Sequence, residues 1–334
     1  MKIIVDAFGG DNAPDEVIKG AARAVSELDV DIILTGDKNK IEAAAKKLGY
    51  QVNSYARGLK TNKTNTVAVI LPSIIHPFFA SLAEHCYRSL SKRGYRMLLG
   101  ITDYNSEIEF DLINMVKQNK VDGIICLSYN PKLKIDANLP FVSIDRYFDT
   151  SVPCVCSDNY YGGSLATEKL IEFGCKNLLF LRTSSNVKGE ADKRQMGFES
   201  ACHLNNVPFH SIVVYDNEAV DIRETFWSHI REHIHDGKCD YDGIFCGTDR
   251  LAHLTCQKLR SFGLRVPEDI QVIGFDGLTK FGGDEYYVST IVQPVEQMAE
   301  TAVNILFDTD RTKIQPLMCL PVLFGYGGTT KLPE

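Results

Sequence analysis

Short apolar runs alternate with longer amphipathic segments along nearly the whole chain. The short runs predict buried strands, and the apolar residues of the longer segments recur at the three- to four-residue spacing of a helix. The predicted strands are 2–5, 31–34, 67–71, 96–100, 123–127, 141–144, 155–157, 177–181, 211–215, 243–246, 271–275 and 289–292; the predicted helices include 78–93, 107–119, 161–173, 193–205, 222–235, 249–262 and 295–307. Such alternation predicts an α/β fold in which helices cover both faces of mainly parallel sheets.

From residue 67 onwards the pattern predicts two Rossmann-like lobes, with the change from one to the other near residues 158–163. In open parallel sheets, ligands bind beyond the carboxyl ends of the strands. The segments that follow the predicted strands, 73–79, 145–146, 183–194, 248–249 and 276, are therefore the candidates for a binding site. A cleft between two such lobes can close on a small ligand by hinge motion.

The net charge and the local charge of the chain limit the kinds of nucleic-acid contact that it can make. The chain has 334 residues and a net charge of −7, which argues against a general nucleic-acid coat. Locally the charge differs, because no acidic residue lies between Glu42 and Glu84; the basic residues in and beside this stretch are Lys46, Lys47, Arg57, Lys60 and Lys63. This stretch is either a patch that contacts phosphates or a solvated linker.

The sequence predicts a cytoplasmic protein without a membrane partner. Asp6 and Asp11 interrupt any apolar core of a signal peptide, and no apolar run approaches the roughly 20 residues of a membrane span. Ten cysteines are scattered without a paired framework, which indicates reduced thiols, and the "CVC" at 154–156 is typical of strand packing.

No catalytic or cofactor motif stands out. G-x-S-x-G, a Walker loop and CxxC are all absent from the sequence, so we predict no enzyme and no cofactor. The stretch "HIREHIH" contains His229, His233 and His235. His229 and His233 share a helix face, but no third ligand of fitting geometry is evident. We therefore interpret the stretch as a solvated helix face and predict no metal site.

Residues from about 50 to the end carry an ordered series of segments, including "GYQVNSYARGLKTNKTNTVAVILP", "HPFF", "QNKVDGIICL", "RQMGF", "YDGIFCGTDRLA", "GLRVPEDIQVIGFD" and "TIVQP". This series resembles the LacI/GalR family of transcriptional regulators. The resemblance implies a periplasmic-binding-protein-like core of type I that binds a small polar effector, a sugar or a sugar derivative, and acts as a homodimer on operator DNA. A sugar-binding protein that does not bind DNA is an alternative.

The resemblance also implies boundaries. Residues 1–48 form an atypical β-α-β segment in place of a helix-turn-helix headpiece, and residues 49–65 form the hinge. The effector-binding core is then 66–334, with 66–160 plus 293–320 in one lobe and 161–290 plus 321–334 in the other.

Several residues match the family's ligand-binding positions. Phe78 and Phe79 would form an apolar wall against the ligand, although Phe79 can also be a core residue. Arg194 would donate to ligand oxygens and Asp276 would accept from ligand hydroxyls, unless the pair is a plain salt bridge between the lobes. Asp249 either binds ligand or caps the helix that follows it. The remaining candidates are Ser73, Asp145, Arg146, Lys188 and Thr248.

The hinge motif "N-x-x-A-R-x-L" is present in residues 53–59. In the family this segment is a short helix on the operator, and a leucine enters the minor groove. The resemblance assigns that role to Leu59, and the residues that would act beside it are Asn53, Ala56, Arg57 and Lys60. An apolar wedge of this kind bends the duplex while basic groups hold its phosphates. Operator binding is nevertheless doubtful, because residues 1–37 contain no helix-turn-helix pattern.

The first 41 residues, beginning "MKIIVDAFGGDNAP", resemble instead the N-terminus of the phosphate acyltransferase of phospholipid synthesis (PlsX). That family opens with "VDAMGGDxAP", and this chain has Phe8 at the methionine position. The later acyltransferase motifs are not found downstream. An acyl-phosphate-forming enzyme is therefore the alternative function, and it rests on this segment alone.

Overall fold

A computed structural model describes residues 2–28, 30–47, 63–131, 133, 135, 139–148, 151–185, 187–215, 222–280, 283–308, 310 and 314–332. The chain divides into two compact units, Met1–Thr64 and Asn65–Glu334. The predicted hinge residues Asn53, Ala56, Arg57, Leu59 and Lys60 lie outside the described residues.

The first unit contains a β-α-β arrangement followed by a helix. Its elements are β1 (Lys2–Asp6), α1 (Asp15–Leu28), β2 (Asp31–Thr35) and α2 (Lys38–Lys47). The two strands pair in parallel, from Lys2 opposite Asp31 to Asp6 opposite Thr35. The helices bury Ile18, Ala21 and Ala44, whereas Ile4 of the sheet is 69% exposed. Within this unit, therefore, one face of the small sheet is covered and the other is not.

The second unit contains the other elements. In chain order they are β3 (Thr66–Leu71), α3 (Pro77–Lys92), β4 (Arg96–Ile101), α4 (Ser106–Gln118), β5 (Gly123–Cys126), β6 (Phe141–Ile144), β7 (Cys154–Ser157), α5 (Asn159–Glu172), β8 (Leu178–Ser184), α6 (Lys193–Leu204), β9 (Phe209–Tyr215), α7 (Ile222–Glu232), β10 (Ile234–His235), β11 (Lys238–Cys239), β12 (Gly243–Cys246), α8 (Asp249–Ser261), β13 (Gln271–Asp276), β14 (Ser289–Val292), α9 (Val295–Phe307), β15 (Leu317–Leu320) and β16 (Leu323–Gly325). A short 3₁₀ helix, Glu190–Asp192, precedes α6.

Two six-stranded sheets organise this unit. The first lobe is built on the order β15-β7-β6-β5-β3-β4, in which every pairing is parallel. The second lobe is built on β16-β14-β13-β12-β8-β9, which is parallel except for the antiparallel edge strand β16. Central strands such as β5 and β12 are buried along their whole length, because helices cover both faces.

Neither lobe is made from one continuous stretch of chain. The chain passes from β7 of the first sheet into α5 of the second lobe, and after β14 it returns to α9 and β15. It then ends on β16 of the second sheet. The buried face of α9, including Met298, Ala302 and Leu306, belongs to the hydrophobic core of the first lobe.

The structure differs from the prediction in the end of one helix and in short strands that were not predicted. The predicted helix 222–235 ends at Glu232, and the chain turns through Asp236 and Gly237, both at positive φ, into a β10-β11 hairpin. His235 therefore lies on a strand and not on the helix. The short edge strands β15 and β16 were not predicted, because their side chains alternate only weakly between buried and exposed positions.

The structure describes all ten cysteines. All ten are unpaired, and all but Cys239 and Cys319 are buried.

No helix of the described residues combines the length and apolar character that a bilayer span requires.

Helices α5 and α6 cross at two glycines. A Cβ atom on Gly163 would overlap the carbonyl oxygen of Arg194, and one on Gly197 would overlap the carbonyl oxygen of Tyr160. Any larger residue must therefore push the helices apart, and α6 carries Arg194 in its first turn.

We expect Gly197→Ala to lower the free energy of unfolding by about 1–3 kcal/mol, because overpacking a close helix crossing displaces its backbone. Thermal unfolding followed by circular dichroism measures the effect, at about 2–4 °C for each kcal/mol. Met196→Ala is the control, since Met196 is 57% exposed on the same helix. Equal melting temperatures for the two variants would contradict the prediction.

Candidate ligand-binding cleft

A cavity of about 470 Å³ lies between the two lobes of the second unit. Its walls come from the carboxyl ends of strands in both sheets, as expected for an open parallel sheet. The first lobe contributes residues that follow β3, β5 and β6, and the second contributes residues that follow β8, β12 and β13. Its volume is that of a small-molecule site.

One wall is apolar and begins at helix α3. Pro77 is the first residue of the helix, and the Nδ1 atom of His76 accepts a hydrogen bond from the Phe78 N–H at 3.3 Å. This cap turns Phe78 and Phe79 into the cavity, where both line the wall and are more than nine-tenths buried. Aromatic faces of this kind suit the apolar C–H face of a sugar ring.

His76 is neutral at pH 7. Burial, Arg250 and Arg194 lower its pKa to about 4. Because Nδ1 accepts the capping hydrogen bond, the single ring proton is on Nε2, which lies 3.9 Å from Oδ2 of Asp276. His76 thus presents an N–H donor to the cavity.

Two carboxylates line the cleft from opposite lobes, the half-buried Asp145 at the end of β6 and the buried Asp276 at the end of β13. Both have positive φ, 53° and 137°, which is strained for a residue other than glycine. Strain of this kind is typical of functional sites. Oδ1 of Asp145 and Oδ2 of Asp276 are buried and accept no hydrogen bond from the described residues. The cleft therefore offers two unused acceptors.

Burial also shifts the titration of these carboxyl groups. It raises the pKa of Asp145 to about 6, with Arg194 and Arg146 opposing the shift and Glu190 adding to it. It raises the pKa of Asp276 to about 6 as well, against the opposing effects of Arg194 and of a hydrogen bond from Gln293. Hydroxyl donors from a ligand would favour the ionised form of both groups.

Arg194 is the fixed cation of the site. Its Nε donates to Oδ1 of Asn159 and its Nη1 donates to the carbonyl of Gly247, each at 2.7 Å. The guanidinium carbon lies 3.6 Å from the centre of the Phe275 ring, and the residue is only 5% exposed. These contacts hold the plane of the guanidinium and leave its remaining N–H groups at the cavity wall.

Arg146 connects the two lobes. It follows β6 of the first sheet and donates to the carbonyls of Val187 and Lys188 in a loop of the second lobe. Its guanidinium also lies 4.6 Å from the centre of the Tyr129 ring. Arg182, on β8, lines the cavity too and pairs with Asp192 at 2.6 Å.

The role of Asp249 differs from both predicted roles. Thr248 is the helix cap, since its Oγ1 accepts from the Leu251 N–H at 3.2 Å. The Asp249 carboxylate instead accepts from the N–H groups of Gly277 and Leu278 and from the Thr290 hydroxyl. Asp249 is buried behind the cavity wall, where it fixes the backbone that follows Asp276.

The structure brings most predicted ligand-binding residues to one cavity: Phe78, Phe79, Asp145, Arg146, Arg194, Thr248 and Asp276. Three do not line it. Ser73 accepts from the Ile75 N–H in a turn before α3, Asp249 lies behind the wall, and the Lys188 side chain is exposed to solvent. Only the carbonyl of Lys188 contributes, as an acceptor for Arg146.

The sequence interpretation missed Gln293. Its Oε1 accepts from the Ser157 hydroxyl and its Nε2 donates to Oδ1 of Asp276, both at 2.8 Å. Gln293 thus fixes Asp276 from the point where the chain returns to the first lobe. The signal was present in the segment "TIVQP", but a glutamine after a strand has no distinctive chemistry until its partners are known.

Residues 64–306 match the family model described as periplasmic binding proteins and sugar binding domain of the LacI family. The chain belongs to this family. The sucrose operon repressor of Streptococcus mutans is 32% identical over 289 residues, covering 83% of this chain and 87% of the repressor. The ribose operon repressor of Halalkalibacterium halodurans is 31% identical over 265 residues, covering 79% and 78% respectively.

Solved structures of this LacI-related family share the fold. A periplasmic binding protein/LacI transcriptional regulator from Alkaliphilus metalliredigens, complexed with D-xylulofuranose, has a TM-score of 0.66 and 25% identity. The match covers 80% of this chain and all of that one. The predicted type I fold of two parallel-sheet lobes and the LacI/GalR resemblance are thereby confirmed.

The N-terminus matches a different family model. Residues 1–63 match one described as fatty acid synthesis protein. This is the part of the chain that resembles the PlsX acyltransferase, and it does not overlap the LacI-family match.

Proposed function

We propose that the protein is a sugar-responsive transcriptional regulator that binds a small polyhydroxylated effector between its lobes. The observation that carries this proposal is the pair of unused, buried acceptors, Asp145 Oδ1 and Asp276 Oδ2, beside the fixed guanidinium of Arg194. Relatives whose names specify sucrose and ribose operons support the same class of ligand.

The arrangement matches the chemistry of a sugar. Vicinal hydroxyls can donate to the two carboxylates and accept from Arg194, so that each buried polar group gains a partner. The apolar face of the ring can lie on Phe79. Because donors and acceptors come from both lobes, we propose that ligand binding favours the closed arrangement of the lobes.

A panel of neutral mono- and disaccharides, read by thermal shift with the purified full chain, tests the binding. We expect at least one sugar to raise the melting temperature in a concentration-dependent way. Asp145→Asn should reduce this shift, whereas Lys188→Ala should keep it, since the Lys188 side chain is exposed. A panel without any stabilising sugar would overturn the proposal.

The proposed output is control of operator DNA. We propose a homodimer in the cytoplasm whose hinge segments, residues 49–65, respond to the effector. A coupling free energy between the cleft and the hinge would then change operator affinity. The repressor names of the relatives support this output. Residues 1–63 match a different family, and base recognition normally needs a helix in the major groove. Sequence-specific DNA binding therefore needs a test of its own.

A gel-shift comparison of an operator-like palindrome with a random duplex tests sequence-specific DNA binding. We expect salt-sensitive binding to both, since phosphate contacts dominate without a recognition helix. Leu59→Ala should weaken the binding if the hinge enters the minor groove. Strong preference for the palindrome would show that the N-terminal segment does not prevent sequence reading.

We propose binding and not catalysis as the role of the chain. The match of residues 1–63 favours an acyl-phosphate-forming enzyme as the second candidate. Incubation with an acyl-carrier-protein thioester and inorganic phosphate tests it, and we expect no acyl phosphate. Turnover that persists after purification to homogeneity would favour the enzyme.

A further inference from the structure

Three histidines come together at the outer edge of the second lobe, away from the cleft. His210 lies on β9, which is the edge strand of the sheet, and His229 lies on α7. His233 follows one turn later, directly after the helix ends. One ring nitrogen of each lies within 4.8 Å of a nitrogen of both others. His210 is exposed and the other two are half-buried, so solvent reaches the cluster.

Hydrogen bonds orient the rings. Nδ1 of His233 lies 2.9 Å from the carbonyl oxygen of His229, and because a carbonyl only accepts, Nδ1 carries the proton. The lone pair of His233 is therefore on Nε2. A backbone carbonyl that fixes the tautomer in this way is a common partner of metal-binding histidines.

The buried Tyr241 orients the other two rings. Its hydroxyl lies 2.7 Å from Nδ1 of His210 and 2.9 Å from Nε2 of His229. The hydroxyl has one proton, so it donates to one ring and accepts from the other. Strand, helix and tyrosine thus present three imidazoles in one place before any ligand arrives.

The cluster suits a metal better than a set of protonated histidines. The rings of His229 and His233 lie 4.4 Å apart, so two charged rings would repel each other. Neutral imidazole is the form that binds metals. None of the three rings forms a salt bridge with a carboxylate among the described residues, whereas the nearby His235 faces Asp240.

We propose that His210, His229 and His233 bind Zn²⁺ or a similar borderline divalent metal. Zn–N bonds of about 2.0–2.1 Å in a tetrahedral site require nitrogens roughly 3.4 Å apart, which small side-chain rotations would reach. The fourth position is open to solvent or to the Tyr241 oxygen. The metal would join the edge strand β9 to the end of α7 and stabilise this lobe. The proposal departs from the expectation of no metal site, because the fold places His210 beside the histidine pair.

Zn²⁺ titration of the tag-free full chain, stripped of metal beforehand, tests the site by isothermal calorimetry. We expect one Zn²⁺ per chain at this cluster and a higher melting temperature in its presence. His210→Ala and His233→Ala should each weaken binding by about tenfold or more. His235→Ala is the matched control from the same stretch of sequence, and it should bind as tightly as the unchanged protein.

A second set of donors requires its own control. Sγ of Cys156 and Cys319 and a carboxylate oxygen of Glu190 also lie within 4.8 Å of one another. The histidine variants are therefore compared in a Cys319→Ser background as well. Binding that survives Cys319→Ser and is lost with His210→Ala supports the proposal. No measurable Zn²⁺ binding, binding lost only with Cys319→Ser, or equal binding by both histidine variants and the unchanged protein would overturn it.

Discussion

Replacing Arg194 by lysine is expected to weaken effector binding about a hundredfold, which corresponds to about 2.8 kcal/mol. A lysine ammonium keeps the charge but loses the planar fork, which here bonds Asn159 and Gly247 while it faces the ligand. One hydrogen bond from a charged donor contributes about 1.5–3 kcal/mol. Losing one such bond, together with the fixed orientation, accounts for the expected change.

Isothermal titration with the sugar that gives the largest thermal shift measures this effect. Lys188→Ala serves as the control, because it removes a positive charge near the cleft without touching the cavity wall. Arg194→Ala is a harsher change and should also destabilise the fold, since it leaves Oδ1 of Asn159 and the buried carbonyl of Gly247 without their donor, at about 1–3 kcal/mol for each buried group. An Arg194→Lys protein that binds within threefold of the original would contradict the role assigned to the guanidinium.

Effector affinity is expected to rise steeply between pH 5 and pH 7. Asp145 and Asp276 each have a pKa of about 6 in the ligand-free protein, and hydroxyl donors bind the ionised form. Lowering the pH from 7 to 5 protonates both groups, which should cost about tenfold in affinity for each. His76, with a pKa of about 4, stays neutral across this range.

Stability of the ligand-free protein should change in the opposite sense. A carboxyl group whose pKa is raised by folding stabilises the fold most fully below its unfolded pKa, near 3.9, and this contribution is lost as the pH rises through 6. The thermal shift caused by a neutral sugar should therefore grow from pH 5 to pH 7, because the sugar restores partners to carboxylates that are otherwise buried without them.

Asp249 titrates in the same pH range, so its contribution to the pH dependence must be distinguished from those of Asp145 and Asp276. Burial and the neighbouring Asp276 raise its pKa to about 7, and it holds the backbone after Asp276. Asp145→Asn is informative, because the Asp249 carboxylate accepts from the β13 and β14 side and not from the Asp145 side of the cleft. Calorimetric titrations at pH 5, 6 and 7 should show residual binding of this variant with a weaker pH dependence. A flat profile for the unchanged protein would contradict the assignment.

The sequence was sufficient for the fold and for the residues at strand ends. Continuous apolar runs such as 67–71 and 243–246 predicted buried parallel strands, and the position of Asp145 and Asp276 after such runs placed them at the cleft. Their strained backbone could not be predicted, because a positive φ in an aspartate leaves no pattern in the sequence. The family resemblance supplied Arg194, which periodicity alone places only at the start of a helix.

What the sequence did not predict depends on contacts between distant segments. His76 and Gln293 meet Asp276 only when the two lobes come together. Asp249 and Thr248 are adjacent, and only the structure shows which of them caps the helix. His210 is 19 residues from His229, and its place beside the histidine pair follows from the pairing of β9 at the sheet edge.

The discontinuous lobes have a consequence for synthesis on the ribosome. The strands from β3 to β7 emerge early, yet α9 and the edge strand β15 of the same lobe emerge only after most of the second lobe has been made. Until then the apolar surface that Met298 and Leu306 will cover is open to solvent. The lobe that is translated first is thus completed late, and its nascent form presents the kind of apolar surface that chaperones bind.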